Sequence, residues 1–268
     1  MVIKEVLEIG RKKLLKNDVD VREARLLLAV VMNINIGELL SKETCTDEEY
    51  KKFMLYIEKR ISGEPYAYIV GYKEFMKLNF KVNEHVLIPR EDTEILVENA
   101  INSGKLKILD ICTGSGCIAI SLAKYIKNSI VDAVDISSEA LKVAKENASL
   151  NNVNVNFINS NLFENVKEKY DLIVSNPPYI PSDDILFLQK EVKNEPLIAL
   201  DGGKDGLTFY KLIAQNARNH LNDGGILMFE IGFDEAESVS NILQTNGYKN
   251  ITVIKDFSGN DRVVKADY

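Results

Sequence analysis

The spacing of hydrophobic residues over residues 1–70 is helical throughout. Apolar side chains recur on one face from Ile3 to Leu15, and Asp18 or Asp20 is placed to cap a second helix. The run Thr46-Asp47-Glu48-Glu49 has the form of a capping box ahead of a third helix that ends near Arg60. The first 70 residues are therefore predicted to form a small helical bundle of their own.

Residues 71–90 show a different pattern, in which apolar residues are spread among polar ones. This pattern is typical of a β-hairpin, and the polar pair Asn83-Glu84 marks its expected turn. The apolar positions of the two expected strands are Phe75, Leu78, Phe80, Val82, Val86 and Ile88. The hairpin is predicted to link the helical bundle to the C-terminal part of the chain.

From residue 91 onward, short apolar runs alternate with amphipathic segments. The predicted strands are Lys107–Ile111, Ser129–Asp135, Val153–Ile158, Asp171–Ser175, Gly225–Ile231, Ile251–Ile254 and Arg262–Ala266. The predicted helices are Ile118–Ile126, a helix capped by Ser137 that runs through Leu150, Asp205–Leu221 and Glu235–Thr245. Such alternation predicts an α/β domain over residues 91–268, with a mostly parallel sheet and helices on both faces. The last two strands are joined by the short turn Ser258–Asp261, so they are expected to pair antiparallel.

A glycine-containing loop, Asp110-Ile111-Cys112-Thr113-Gly114-Ser115-Gly116, follows the first of these strands. Its glycines let the backbone approach a ligand closely, and ligands bind such sheets at the carboxyl ends of the strands. The spacing Gly114-x-Gly116-x-x-Ala119, with Asp135 about twenty residues further on, also fits a dinucleotide site. The Asp110 carboxylate favours S-adenosylmethionine, because it suits a cationic amino-acid group better than a pyrophosphate. Asp135 is then predicted to accept hydrogen bonds from the ribose hydroxyls.

A second motif, Asn176-Pro177-Pro178-Tyr179, follows the strand Asp171–Ser175 directly. The two prolines remove two N–H donors, which leaves nearby backbone carbonyls available as acceptors. A planar amide or amino nitrogen carries two N–H donors, and its delocalised lone pair makes it a poor nucleophile. If Asn176 Oδ1 and the Pro177 carbonyl each accept one N–H, the lone pair can turn toward a methyl donor, and positioning supplies much of the rate. The motif predicts N-methylation without a metal or a catalytic histidine, with Tyr179 offering a flat face.

Composition narrows the classes of substrate and partner. The net charge is −7, and residues 1–70 carry 12 basic and 12 acidic residues, so the acidic excess lies in the remainder. Duplex-binding enzymes normally present a basic face, so no stable complex with nucleic acid is expected. The three cysteines, Cys45, Cys112 and Cys117, fit reduced thiols, and no apolar run approaches ~18 residues. We therefore expect a cytoplasmic protein that does not enter a membrane.

These motifs together resemble those of the HemK/PrmC family, the peptide-chain release factor glutamine methyltransferases. The resemblance covers nearly the whole chain and includes the glycine loop and the Asn-Pro-Pro-Tyr motif. It also includes Ala24–Leu28, Gly71–Phe75, Val86–Arg90, Thr93-Glu94, Glu195-Pro196 and Ala199–Gly203. The family would imply a class I S-adenosylmethionine-dependent methyltransferase domain, which is Rossmann-like, preceded by a helical domain (1–70) that docks the release factor and by the hairpin linker.

The resemblance also implies an activity and site residues. The methyl donor would be S-adenosylmethionine, the products S-adenosylhomocysteine and N5-methylglutamine, and the substrate the glutamine of a Gly-Gly-Gln tripeptide in a release factor. The residues implied to contact the donor are Cys112, Thr113, Gly114, Ser115, Gly116, Asp135, Leu162 and Asn176. Asn176 to Tyr179 would hold the glutamine amide. Arg90 is expected to support the site by pairing with Glu94 or with Glu195, and the loop from Glu195 to Gly206 to shape the glutamine pocket.

Three positions depart from the family pattern. Cys112 stands where the family usually has glycine, and Asn161 stands where it has an acidic residue before the adenine-packing Leu162. The Asn161 carbonyl can still accept from an adenine amino group. Glu91 stands where proline is frequent, at a helix start that tolerates an acid.

Several other functions fit parts of the sequence. Methylation of the adenine amino group in DNA or RNA shares the Asn-Pro-Pro-Tyr motif, and a glutamine methyltransferase acting on a ribosomal protein is a close variant. A non-catalytic S-adenosylmethionine-binding protein would leave the intact motif without a purpose. A dehydrogenase would leave residues 176–179 unexplained.

Overall fold

The computed structural model describes all 268 residues, and they divide into two compact units. One unit comprises residues 1–71 together with the short segment 189–194, and the other comprises residues 72–188 and 195–268. The chain therefore returns to the first unit for six residues before the second unit is complete. None of the helices has the length and apolar character needed to cross a membrane.

The first unit is all-helical. Its helices are α1 (Ile3–Lys16), α2 (Glu23–Met32), α3 (Ile36–Leu39), α4 (Asp47–Ile61) and α5 (Tyr66–Val70). The predicted capping box is confirmed: the Thr46 hydroxyl accepts the Glu49 N–H, and the Glu49 carboxylate accepts the Thr46 N–H. The prediction that Asp18 or Asp20 caps α2 is wrong. Arg22 occupies the cap position without a side-chain bond to the helix, because Asp20 is already paired with Arg22.

A buried arginine holds segment 189–194 to this unit. Arg60 is only 1% exposed, and its guanidinium pairs with Glu23 and, at 2.6 Å, with Glu191. The Asn194 side chain donates to the Gly63 carbonyl at 2.9 Å. A buried cation is tolerated only when it is paired, so the pairing of Arg60 with Glu191 makes the segment an integral part of the unit.

The second unit begins with a hairpin of β1 (Tyr72–Phe75) and β2 (Leu78–Lys81). Its turn is at Met76 and Lys77, and not at Asn83-Glu84 as the sequence predicted. Both turn residues have positive φ, of 49° and 58°, which is the conformation of a two-residue hairpin turn. Neither Met nor Lys is typical of such a turn, so its position could not be recognised from the sequence. Residues 82–92 form no strand.

The remainder of this unit is a seven-stranded sheet with helices. Its strands are β3 (Lys107–Ile111), β4 (Ile130–Asp135), β5 (Asn156–Asn159), β6 (Tyr170–Ser175), β7 (Leu221–Glu230), β8 (Lys249–Lys255) and β9 (Asp261–Asp267). The helices are α6 (Thr93–Asn102), α7 (Cys117–Tyr125), α8 (Ser138–Leu150), α9 (Thr208–Ala217) and α10 (Ala236–Thr245). Short 3-10 turns cover Asp184–Phe187, Val192–Asn194 and Leu197–Ala199, the second of which lies in the first unit.

The strand order is β5-β4-β3-β6-β7-β9-β8, and only β9 runs against its neighbours. The predicted mostly parallel sheet and the antiparallel pairing of the last two strands are thus confirmed. The central strands are buried on both faces, where two separate apolar clusters pack. The helix predicted over 205–221 is shorter, because residues 201–206 form a glycine-rich loop and Leu221 already belongs to β7.

Candidate functional site

Four polar residues lie at the carboxyl ends of adjacent strands. Asp110 is the penultimate residue of β3, Asp135 ends β4, Asn176 follows β6 and Glu230 ends β7. These four strands are parallel and in register near their ends, so the four side chains belong to one edge of the sheet. This edge is where open α/β sheets bind their ligands.

Asp110 is a fully buried carboxylate with one unused oxygen. Its Oδ2 accepts the Thr113 hydroxyl at 2.6 Å and the Ala119 N–H at 3.2 Å, whereas Oδ1 has no hydrogen-bond partner. Burial raises the pKa of Asp110 to about 7, although these two hydrogen bonds oppose the rise. A buried carboxylate with a free acceptor is costly by itself, and a cationic ligand group would relieve that cost.

The backbone of the loop after β3 adopts, at position 112, a conformation that favours glycine. Cys112, Gly114 and Gly116 have φ values of 62°, 54° and 80°, in the left-handed region that only glycine adopts without strain. A Cβ on Gly116 would also lie 2.9 Å from Ile120 and 3.1 Å from Ala144. Cys112 therefore retains a glycine conformation at some energetic cost, and the loop keeps its shape.

Asp135 connects this loop to the next strand. Its carboxylate accepts the Gly114 N–H at 2.8 Å through one oxygen and the Ser137 N–H at 2.9 Å through the other. Burial raises its pKa, and the backbone hydrogen bonds partly offset that rise. Each oxygen keeps a second lone pair, so the pair of oxygens can still accept two neighbouring hydroxyls. Ser137, which the sequence predicted as a helix cap, does cap α8.

A cavity extends along this edge of the sheet. Among the predicted donor contacts, its lining includes Cys112, Gly114, Asp135, Asn161, Leu162 and Asn176. The lining also includes Pro178 of the predicted motif and Ile198 and Ala199 of the loop that was expected to shape the pocket. Sequence reasoning missed His85, Val86, Leu87 and Phe209. Thr113 and Ser115 line a smaller neighbouring cavity with Arg90, Thr93 and Asn176. Asp110 and Gly116, which were also predicted to contact the donor, are not among the residues that line either cavity; Asp110 is buried directly beneath the loop, with its free Oδ1.

The side-chain carbonyl of Asn161 is free to accept a hydrogen bond. The side-chain amide donates to Glu164 at 2.8 Å, so the side-chain carbonyl remains without a partner in the protein. Leu162 follows with φ of 48° and contributes an apolar surface to the cavity. The pair therefore offers an acceptor and an apolar face, which suits a flat ring with an amino group.

The Asn-Pro-Pro-Tyr motif leaves two acceptors unused beside the cavity. Asn176 donates through Nδ2 to Thr93 Oγ1 at 3.3 Å, and no hydrogen bond in the protein uses Asn176 Oδ1 or the Pro177 carbonyl. Pro177 and Pro178 are buried, so water has little access to the protein-facing side of the turn. Burial raises the pKa of the half-buried Tyr179, whose side chain lines an open groove together with Arg90.

A glycine-rich loop supports the turn after Tyr179. The Gly202 N–H donates to the Ile180 carbonyl at 2.8 Å, and the Ile180 N–H donates to the Leu200 carbonyl at 3.0 Å. A Cβ on Gly202 would lie 2.7 Å from the Tyr179 backbone, and one on Gly206 would lie 2.4 Å from the Tyr179 carbonyl oxygen. These distances are shorter than any real contact, so only glycine permits this approach.

Replacing Gly206 by alanine should displace the turn that carries Tyr179. Gly206 has φ of 72°, so the variant suffers both backbone strain and a direct clash with the Tyr179 carbonyl. Turnover is expected to fall by roughly 10- to 100-fold, since small displacements of reacting groups cost up to about 100-fold. The matched control is Gly259→Ala, where φ is 89° but nothing lies near the new methyl group. Equal activity of the two variants would contradict the supporting role of the loop.

Arg90 pairs with Glu195, which is one of the two partners that the sequence allowed. The guanidinium contacts one carboxylate oxygen of Glu195, and the other oxygen accepts the Ile88 N–H at 3.0 Å. Glu94 instead accepts the Met76 N–H. Glu195 is 5% exposed and does not line the cavity, but it ties the segment 86–90 to the segment 195–199, and both segments contribute to the lining.

Sequence reasoning also missed Glu230. Its side chain is 1% exposed and contacts Thr93 and Asn176, and its Oε2 has no partner. Burial raises its pKa to about 7, whereas hydrogen bonds from Thr93 and Asn176 and the nearby Arg262 lower it. An acid that ends an otherwise apolar strand, in Ile226–Ile231, was the available signal.

Family models match both parts of the chain. The model of the PrmC N-terminal domain matches residues 5–71, and that of the methyltransferase small domain matches residues 91–191. The two matches fall in the helical unit and in the unit that contains the sheet, apart from three residues of the segment 189–194. Both matches agree with the resemblance that the motifs indicated.

Named relatives extend this similarity over nearly the whole chain. The release factor glutamine methyltransferase of Thermodesulfovibrio yellowstonii is 42% identical over 255 residues, which is 91% of each chain. That of Clostridium botulinum is 41% identical over 280 residues, which is 99% of each chain. A crystal structure of a methyltransferase from Pyrococcus furiosus shares the fold, with a TM-score of 0.57 at 21% identity, over 83% of this chain and 98% of that one. The chain thus belongs to the release factor glutamine methyltransferase family.

Proposed function

We propose that this enzyme transfers a methyl group from S-adenosylmethionine to the side-chain amide nitrogen of the glutamine in the Gly-Gly-Gln motif of a peptide-chain release factor. Relatives named for this reaction cover most of the chain. The observation that carries the proposal is the pair of unused acceptors at Asn176 and Pro177, beside the cavity at the sheet edge. The unpaired cysteines fit the reducing cytoplasm in which such a substrate is made.

The residues at the sheet edge fit S-adenosylmethionine. The unpartnered Oδ1 of Asp110 supplies an acceptor for an ammonium group, Asp135 supplies two oxygens for a ribose, and Asn161 with Leu162 supplies an acceptor and an apolar face for adenine. When bound, S-adenosylmethionine supplies an electrophilic methyl group on a sulfonium centre. We assign Thr113, Ser115 and Cys112 to the wall of the same site.

The chain's own contribution to the reaction is to hold the amide nitrogen. Asn176 Oδ1 and the Pro177 carbonyl each accept one of the two amide N–H groups, so the nitrogen is fixed and free to become pyramidal. Its lone pair then points away from both acceptors, and such positioning supplies a large part of the rate. The flat face of Tyr179 packs on the amide plane, and Arg90, held by Glu195, closes one side. No strong base is needed before attack, because the nitrogen becomes acidic once it is alkylated.

The test is to incubate the enzyme with methyl-labelled S-adenosylmethionine and three acceptors: an intact bacterial-type release factor, a ribosomal protein mixture and duplex DNA. Mass spectrometry locates the label. We expect it on the glutamine of the Gly-Gly-Gln motif, and the Asn176→Ala variant run in parallel measures the background. Label on a ribosomal protein or on adenine alone would overturn the proposed substrate, and no label on any acceptor would overturn the reaction.

We further propose that the helical unit docks the release factor. The unit has its own apolar core, yet three of its leucines, Leu15, Leu40 and Leu55, are 68%, 71% and 55% exposed. These three exposed leucines can be substituted without disturbing that core, so they are the positions at which docking is tested.

Serine substitutions at these three positions test the docking role. We expect at least one of Leu15→Ser, Leu40→Ser and Leu55→Ser to raise the KM for the intact release factor by roughly tenfold, because a few interface residues carry most of the binding energy. The KM for a short Gly-Gly-Gln peptide should not change. Phe257→Ser, at a fully exposed turn of the other unit, is the control. If all four variants kept the wild-type KM for the intact factor, the docking surface would lie elsewhere.

A further inference from the structure

The side-chain amide of Asn176 must be held in one of two orientations. Its oxygen and nitrogen occupy nearly equivalent positions, so a rotation of about 180° exchanges an acceptor for a donor. Only the orientation with Oδ1 toward the glutamine amide can accept an N–H from it. The reaction therefore needs a group on the opposite side that distinguishes the two orientations.

Thr93 alone cannot make this distinction. Its hydroxyl lies 3.3 Å from Asn176 Nδ2, but a hydroxyl can either accept from Nδ2 or donate to Oδ1. It would therefore fit either orientation of the amide. Thr93 is 2% exposed, so water does not settle the direction of its proton.

Glu230 determines the direction in which the Thr93 hydroxyl proton points. Glu230 follows Phe229, which pairs with Ser175 in the sheet register, so it lies beside Asn176. Thr93 and Asn176 both lower its pKa, and its side chain is 1% exposed. An ionised carboxylate only accepts hydrogen bonds. The Thr93 hydroxyl must therefore give its proton to Glu230, which leaves Thr93 Oγ1 as an acceptor for Asn176 Nδ2. We infer that Glu230 is a positioning residue, which orients the Asn176 amide through Thr93 so that Oδ1 faces the glutamine.

This inference rests on the proposed function of Asn176 and adds a residue from a different strand. Glu230 touches neither the donor cavity nor the open groove, so it acts only through its neighbours. Burial of Glu230 destabilises the fold, because its Oε2 is buried and has no hydrogen-bond partner. A carboxylate retained at such a cost in an apolar strand is consistent with a role in the site, because burying a carboxylate without full pairing destabilises the fold.

The orientation should depend on pH. Burial raises the pKa of Glu230 to about 7, Thr93, Arg262 and Asn176 lower it, and Asp92 raises it further. The other ionisable groups that face it are Tyr179, Tyr210 and Cys117, whose pKa values burial also raises. Protonated Glu230 can donate, which removes its preference for one direction of the Thr93 proton. Turnover at saturating donor should therefore fall as pH decreases through about 7.

Glu230→Gln tests the inference, because the amide keeps the shape of the carboxyl group but can donate. With both substrates saturating, kcat at pH 8 should fall roughly 10- to 100-fold, the cost of misplacing a reacting group, while the dissociation constant for S-adenosylmethionine changes little. The decline of kcat between pH 8 and pH 6 should disappear. The control is Asp132→Asn, a buried carboxylate that pairs with Tyr170 at the other end of the sheet; it should keep the wild-type pH profile. Wild-type kcat and pH profile in Glu230→Gln would overturn the inference.

A second measurement does not depend on turnover. The side-chain ¹⁵N resonance of Asn176, identified by its loss in Asn176→Ala, should titrate near pH 7 in the wild type and not in Glu230→Gln. A resonance that is insensitive to pH in the wild type would overturn the inference. Failure of the wild type to methylate the release factor would instead overturn the proposed function, whereas the resonance would still report whether Glu230 orients the amide.

Discussion

Replacing Asn176 by alanine is expected to lower kcat on the release factor by roughly 10²- to 10³-fold. The variant loses one of the two acceptors that we propose to fix the amide nitrogen, and removal of a single preoriented hydrogen-bonding group from an active site typically costs about this much. The affinity for S-adenosylmethionine should change far less, because Asp110 and Asp135 are untouched. Single-turnover kinetics with labelled donor and calorimetric titration of the donor measure the two effects separately.

A second asparagine-to-alanine variant controls for the loss of side-chain volume and of a local hydrogen bond. Asn216 is exposed on α9, and its side chain bonds only the Leu212 carbonyl of the same helix. Asn216→Ala should retain wild-type kcat. The role assigned to Asn176 would be contradicted by unchanged turnover in Asn176→Ala, and equally by a loss of donor affinity as large as the loss of kcat.

The second large effect is expected for Asp110→Asn. This replacement keeps the shape of the side chain and an acceptor for Thr113 and Ala119, but it removes the charge that we propose binds the ammonium group of S-adenosylmethionine. The dissociation constant for S-adenosylmethionine should rise roughly 10- to 100-fold, since a hydrogen bond to a charged partner is worth about 1.5–3 kcal/mol. The stability of the free protein should not fall, because the carboxylate that is replaced is buried and only partly paired. Titration calorimetry and thermal unfolding measure both.

The same residue predicts a pH dependence of donor binding. Because burial raises the pKa of Asp110 to about 7, the free protein holds a proton there below this pH, and an ammonium ligand must displace it. Affinity should therefore fall up to about tenfold per pH unit below 7, and binding at pH 7 should release roughly half a proton. Calorimetry in buffers of different ionisation enthalpy measures that release. If Asp110→Asn released as many protons as the wild type, another group would be responsible.

The elements that carry the site could be predicted because their signals are local. A capping box specifies the start of α4 within four residues, and an apolar strand followed by a glycine loop specifies the β3–α7 unit. Parallel strands then place Asp110, Asp135 and Asn176 at one edge without further information, since the carboxyl ends of such strands coincide.

Other features depend on partners that are distant in sequence. Glu230 lies 54 residues from Asn176 and 137 from Thr93, and no local pattern indicates that they meet. The hairpin turn at Met76-Lys77 is another such case, because Phe75 and Phe80 pack into the core and thereby fix the register in spite of poor turn residues. Tertiary packing decides both features.

Residues 189–194 belong to the helical unit, and this limits how that unit can be exchanged for the unit of a relative. A chimera that replaced residues 1–71 with the equivalent part of a relative, in order to change substrate preference, would bring a foreign partner for Glu191 and Asn194. The graft would need an arginine at the place of Arg60, or the transplanted piece would have to include 189–194 as well. A single cut in the gene therefore cannot divide the two units, and a truncation at residue 71 would leave a six-residue stretch without its anchor.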